Sequence, residues 1–343
     1  MAFPGGNLVL PSGTKLVPGR LLVRFRAGSA PLARAEARAA VDADVVTAYH
    51  LVPRLQLLRV PEGDSAVAAA AALQQDPAVE YAAPDIERPL ATAPNDTRYG
   101  EQWGPPAIGA PAAWGRVTGS STVKVAVLDT GMKLDHPDLA GNLFTNSGEI
   151  AGNNMDDDGN GFVDDVHGWD FFNSDNDASD GYGHGTHVSG IIGAVGNNNL
   201  GIAGLNWSVR LLPLKTCNDS GSCSISAEIA ALQYAVDMGA KVANSSFGSA
   251  RSPVQAEADA ISAAGAAGLL DVAAAGNVSY DNDALPFYPA SYALSNLISV
   301  AATAADQSLA YFSNYGATSV HIGAPGDGIR PSTVVPSPGR ETT

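Results

Sequence analysis

Three polar side chains stand at one end or the other of an apolar run of this chain, and each is of a type that can do chemistry there. Asp129 ends the run VAVLD and is followed at once by Thr130 and Gly131, so a carboxylate sits where a strand gives way to a tight turn. His184 lies in GYGHGTHVSGIIGAV, at the start of an apolar helical pattern. An imidazole in that place serves as a general base if a carboxylate fixes its other nitrogen. Asn277 follows the small-residue run AAAG, where its amide can donate to a developing oxyanion. Each residue also has a bland reading, as a turn or helix cap at Asp129 and a Gly-Asn turn at Asn277. His187, three residues after His184, raises a metal reading of the HGTH pair, but the HExxH glutamate and a third ligand nearby are both missing.

A second chemistry is offered by DDDGNGFVDD at 156–165. Asp156, Asp158 and Asn160 alternate, a glycine holds the sixth place, and Asp164 and Asp165 follow, which is a pattern of oxygen ligands suited to calcium. The twelfth-position glutamate of an EF-hand is absent, and a solvated acidic loop is the alternative. The net charge of −16 suits cation binding and argues against a general positive field for nucleic acid or anionic membrane.

The elements that must position these residues form two patterns. Residues 17–87 read as a small α+β unit, with strands at 21–25, 55–60 and 79–84 and helices at 31–42 and 64–75. Residues 88–97 carry turn residues without periodicity and are expected to be a protease-accessible linker. From 98 to 343 apolar strands (123–129, 209–215, 240–247, 269–276, 297–303) alternate with helical stretches near 184–195, 224–238 and 253–267. That order predicts an α/β domain with a parallel sheet covered on both faces. Sites in such sheets form at the carboxyl ends of strands, which is where Asp129, Ser245, Ser246 and Asn277 fall.

Taken together the motifs resemble the subtilisin-like serine proteases. VAVLDTGMKLDHPDL (125–139), HGTHVSGIIGA (184–194) and AAAGN (273–277) are similar to the family's aspartate, histidine and oxyanion motifs. NSSFG, YPASY, FSNYG and GAPG then follow in the family's order. The resemblance implies that Asp129 supports His184 as the general base, that Asn277 is the oxyanion donor, and that Ser246, Phe247 and Gly248 border the primary specificity pocket and pair with an extended peptide or protein substrate. It implies a structural calcium site built from Gln102, Asp138 and Asn198, and calcium also at the acidic loop. Residues 17–87 are similar to the family's pro-region, a chaperone and inhibitor of its own protease, with an unrelated α+β domain as the alternative. Secretion is expected by the same resemblance.

The pattern departs from the family at the nucleophile. The expected GTS motif opening a buried helix does not occur, for Gly326 is followed by seventeen residues in which Ser332 and Ser337 each stand beside proline. The expectation is therefore either an inactive portion of a protease or a non-catalytic, peptide-binding pseudo-protease. The first twenty residues are interrupted by Pro4, Gly5, Gly6 and Pro11 and do not read as a secretory signal. No apolar run approaches ~18 residues, so no membrane span is expected. Cys217 and Cys223 are six apart and are either bridged or free.

Overall fold

The computed structural model describes residues 14–87 and 92–330. The chain divides into two compact units, Met1–Leu90 and Ala91–Thr343.

The first unit is a four-stranded antiparallel sheet in the order β2-β3-β1-β4 with two helices. Its elements are β1 (Leu16–Phe25), α1 (Pro31–Ala39), β2 (Asp44–Ala48), β3 (Leu55–Arg59), α2 (Ala66–Gln74) and β4 (Val79–Ile86). In β1 the alternating Leu21, Val23 and Phe25 are fully buried and meet Leu58, Ala70, Leu73 and Val79, the one-face burial that period-two spacing produces. Ser65 caps α2 by accepting from Ala68 N at 3.2 Å, so that helix starts slightly later than the pattern suggests. Helix α1 stops at Ala39, short of the expected 42, because Asp42 turns to φ 49° and Ala43 N returns to Arg38 O at 3.0 Å. Strand β2 was not expected from the sequence. All five of its residues are exposed, so no hydrophobic alternation marks it.

The second unit opens with two short helices, α3 (Gly104–Ala107) and α4 (Ala110–Trp114). Then come β5 (Gly119–Asp129), β6 (Trp169–Asp170), α5 (His184–Gly193), β7 (Ser208–Lys215), α6 (Ile225–Asp237), β8 (Val242–Ser245), β9 (Ser249–Ala250) and α7 (Gln255–Ala266). The unit closes with β10 (Leu270–Ala274), β11 (Phe287–Tyr288), β12 (Leu297–Thr303) and β13 (Ile322–Pro325). Seven strands form one parallel sheet in the order β13-β12-β10-β8-β5-β7-β6. Strand β5 lies inside the sheet, paired on both edges, and its side chains alternate between two cores. Ala126 and Leu128 pack with Leu232, Tyr234 and Ile261 from α6 and α7, whereas Val125 and Val127 pack with Ala194, Ile202 and Leu211 on the other face. This is the doubly covered α/β sheet expected from the near-continuous apolar strands.

Strand β8 ends at Ser245, two residues before the expected 247. Ser245 stays in the sheet and donates its hydroxyl to Asp271 Oδ1 at 2.8 Å, while Ser246 Oγ accepts from Asn244 Nδ2 at 2.8 Å. The main chain of 246–248 therefore runs on outside the ladder before β9 pairs with β11. Cys217 and Cys223 form a disulfide. No helix among the described residues is long and apolar enough to cross a membrane.

Candidate active site

Asp129 is the last residue of β5 and is 2% exposed. His184 is the first residue of α5 and is half-buried. The two meet because the turn after β5 and the start of α5 approach backbone to backbone. At Gly131 the φ is +106° and a Cβ would lie 2.6 Å from Ala178 O. At Gly185 a Cβ would strike Gly131 O. Only glycine permits this approach, which gives the DTG and HGTH motifs a steric cause.

His184 Nδ1 lies 2.8 and 2.9 Å from the two oxygens of the Asp129 carboxylate. Thr130 N donates to Asp129 Oδ1 at 2.7 Å. The hydrogen bond to Asp129 raises the His184 pKa above its usual 6.5, burial opposes this, and the negative charges of Asp129 and Asp180 add to the rise.

Asp180, which the sequence reading did not single out, ties the pair together. Its Oδ1 accepts from Thr130 Oγ1 at 2.8 Å and Gly183 N at 2.7 Å, and its Oδ2 accepts from Thr186 N at 2.8 Å and Thr186 Oγ1 at 2.6 Å. Thr130 Oγ1 in turn accepts from Gly185 N at 3.0 Å. A carboxylate at the amino end of a helix satisfies its free N–H groups and complements its dipole. The available signal was an acidic residue just ahead of a helical pattern. It was lost among the many Asp and Asn of that segment.

The Asp129–His184 pair opens onto a cavity of about 580 Å³ that Ser246, Phe247 and Gly248 also line. The structure thus brings five of the sequence-derived site residues to one cleft. Asn277 is exposed just beyond β10, outside the lining of that cavity. Among the described residues, the cluster of three carboxylates that could hold a metal includes neither His184 nor His187. Burial lowers its pKa from the usual 6.5.

In the acidic loop the ligand candidates separate. Asp158 and Asp165 converge with Glu149, their carboxylate oxygens within 4.8 Å of one another. Asp165 is fully buried and its oxygens accept from Asn146 Nδ2 at 2.7 Å, Asn160 Nδ2 at 2.8 Å and Tyr234 OH at 2.6 Å. Asp156 instead turns inward, accepting from the backbone of Gly159 at 2.7 Å and Gly161 at 2.8 Å. Asp164 holds Asn153 N at 3.2 Å and Asn154 N at 2.9 Å. Three converging carboxylates are a hard, all-oxygen donor set that fits calcium. Glu149 escaped the sequence reading because it lies outside the DDDGNG run.

At the second place, Asp138 and Asn198 do meet, with Asn198 Nδ2 donating to Asp138 Oδ1 at 2.9 Å. Gln102 grips the main chain of Ala203 with both ends of its amide, at 2.9 and 3.0 Å. Asp96, also missed, accepts from Asn197 N at 2.7 Å. Burial raises its carboxyl pKa, and the nearby Asp138 adds to the rise.

Comparison with known proteins agrees with this geometry. Residues 120–342 match the Subtilase family model, and residues 5–85 match the Fervidolysin N-terminal prodomain model. The Thermophilic serine proteinase of Bacillus sp. is 36% identical over 312 residues, covering 90% of this chain and 70% of that one. Thermitase of Thermoactinomyces vulgaris is 38% identical over 239 residues, 69% of this chain and 74% of its own. Among solved structures, a protease from Pseudoalteromonas arctica superposes with a TM-score of 0.55 at 27% identity, over 68% of this chain and 73% of that one. With a matching catalytic-domain model, a matching prodomain model and the sheet to go with them, the chain belongs to the subtilase family.

Proposed function

We propose that this chain is built to act on peptide bonds as a subtilisin-like serine endopeptidase made as an inhibited precursor. The observation that carries the reading is the bond from His184 Nδ1 to the buried Asp129 carboxylate at 2.8 and 2.9 Å. A proton held on Nδ1 leaves Nε2 as the basic nitrogen. His184 then takes the proton of an attacking hydroxyl and returns it to the leaving amine, while Asp129 holds the tautomer and supports the imidazolium. Asn277 donates to the oxyanion. Ser246, Phe247 and Gly248 offer main chain outside the sheet ladder to an extended peptide, which adds as a strand.

The attacking hydroxyl is not assigned to a residue. Residues 1–343 contain no serine in a GTS setting that opens an apolar helix, and Ser332 and Ser337 lie outside the described residues. A second reading is a non-catalytic peptide-binding protein. The amino-terminal unit acts in cis as inhibitor and folding aid, consistent with the prodomain match. Glu149, Asp158 and Asp165 hold a structural calcium ion. The protein works outside the reducing cytosol, a reading supported by the Cys217–Cys223 disulfide.

The test is chromogenic peptide hydrolysis together with the transcript. The 343-residue chain should release no product, and labelling of it by a serine-directed phosphonate would overturn that expectation. A downstream GTS motif whose addition brings turnover establishes the enzyme. A stop codon directly after Thr343 establishes the non-catalytic reading.

A further inference from the structure

The cavity that holds His184 is also lined by two glutamates that the hydrolytic mechanism does not use. Glu228 comes from the first turn of α6 and Glu257 from the first turn of α7. They are 1% and 3% exposed. Glu257 Oε2 accepts from Tyr292 OH at 2.6 Å. Glu228 Oε1 has no hydrogen-bond partner among the described residues. Behind them Asp271, 1% exposed, accepts from Ser245 Oγ at 2.8 Å and leaves its Oδ2 unpartnered. None of the ion pairs among the described residues involves these three acids.

Buried carboxyls with an oxygen left unsatisfied and no cation beside them cost stability. Burial, the charge of Glu257, a hydrogen bond between the two carboxyls and the charge of Asp271 raise the Glu228 carboxyl above its usual range, and a cation seated between the two glutamates displaces the proton they share. The two first-turn positions, at the positive ends of two helix dipoles, are what make the arrangement tolerable. These acids do not converge as a metal cage, for the three-carboxylate group among the described residues is the distant Glu149 cluster. The cation that suits them is therefore one that brings several N–H donors on a long stem.

We propose that Glu228 and Glu257 form an anionic subsite in the cleft that takes a lysine or arginine side chain of the bound peptide. The proposal rests on the peptide-binding reading of the cleft and names its substrate class: extended peptides with a basic residue at one fixed position. An ammonium or guanidinium group there gives Glu228 Oε1 the partner it lacks and places opposite charge between the two helix ends. A neutral side chain at that position leaves the same oxygen unsatisfied, which is how a polar pocket rejects an analogue without the matching group.

The test uses the 343-residue chain, immobilised and exposed to a positional-scanning library of acetylated hexapeptide amides. Relative enrichment is read, because a tethered competitor lowers all peptides together and leaves their ranking. Lysine or arginine should be enriched over norleucine about tenfold or more at a single position, the scale of one hydrogen bond to a charged group. E228Q and E257Q, each near-isosteric, should abolish that enrichment while the other positions keep their ranking. If one of them fails to melt cooperatively, the other carries the same expectation. Peptide binding without a basic preference, or with one that survives both variants, overturns the subsite and leaves the cleft intact. Failure to retain any peptide overturns the peptide-binding reading and the subsite with it.

Discussion

The imidazole of His184 is half in water, but its partner carboxylate is not, and that asymmetry sets its chemistry. A base must be neutral to act. Because Asp129 and Asp180 raise the His184 pKa, kcat/KM of an active form of the enzyme should fall as pH drops through a value above 6.5. Asp180→Asn removes one of those negative charges, so its acid limb should move to lower pH in a rate profile; an unmoved limb would show that Asp180 only shapes the helix end. His184→Ala in the same enzyme should cut kcat by about six orders of magnitude, the loss known for subtilisin itself. Peptide affinity should stay nearly unchanged, since the base acts in the transition state. Asp129 and His184 were legible in the sequence because glycines that cannot be replaced flank both. Asp180 was not, because its role is carried by donors from Thr130, Tyr182, Gly183 and Thr186, which only the folded turn brings together.

At the scale of elements, α5 depends on what stands before it. With a left-handed Gly183 as its capping residue and no side-chain cap of its own, its first turn is held by Asp180 from outside. Asp180→Ala should therefore cost about 1–2 kcal/mol in denaturant unfolding. The acidic loop makes a different prediction. Calcium at a hundred times its Kd should stabilise the chain by ~2.7 kcal/mol if it binds only the native state. Asp165→Asn and Glu149→Gln should abolish that gain in a melting curve, whereas Asp156→Asn should lower the melting point with or without calcium, because Asp156 bonds its own loop. Residue spacing picked out the acidic loop but not all three of the converging carboxylates. An alternating acidic run fixes which side chains can share one face, whereas Glu149 reaches the cluster from another segment of chain. Strand β8 was read too long for a related reason. NSSF continues the apolar run in composition, but Ser246 and Phe247 have left the ladder to meet the cleft.

For the whole molecule, the buried acids set how stability follows pH. Burial raises both Glu228 and Asp271, the latter to about 6, above their ordinary unfolded values near 4. The folded state thus holds more protons than the unfolded one above about pH 4, so stability falls as pH rises from about 4 through 6. Melting curves at pH 5, 7 and 9 should show the decline, and Glu228→Gln should flatten it; a wild-type curve independent of pH would remove these acids from the account. In the sequence the linker at 88–97 breaks both periodicities; the chain divides at Leu90 and Ala91, and residues 88–91 lie outside the described residues. Amino-terminal sequencing of an active, matured enzyme should place the cut between Pro89 and Asn95, and a start beyond Trp103 would contradict the boundary. The place of β5 inside the sheet has a consequence for synthesis. A ribosome delivers this strand first of the seven, yet its edge partners β7 and β8 begin only at Ser208 and Val242. A nascent chain must carry an apolar strand with both edges bare until then, and such strands invite pairing with other chains. The amino-terminal unit, whose own sheet is complete by Ile86, is already finished while that strand waits.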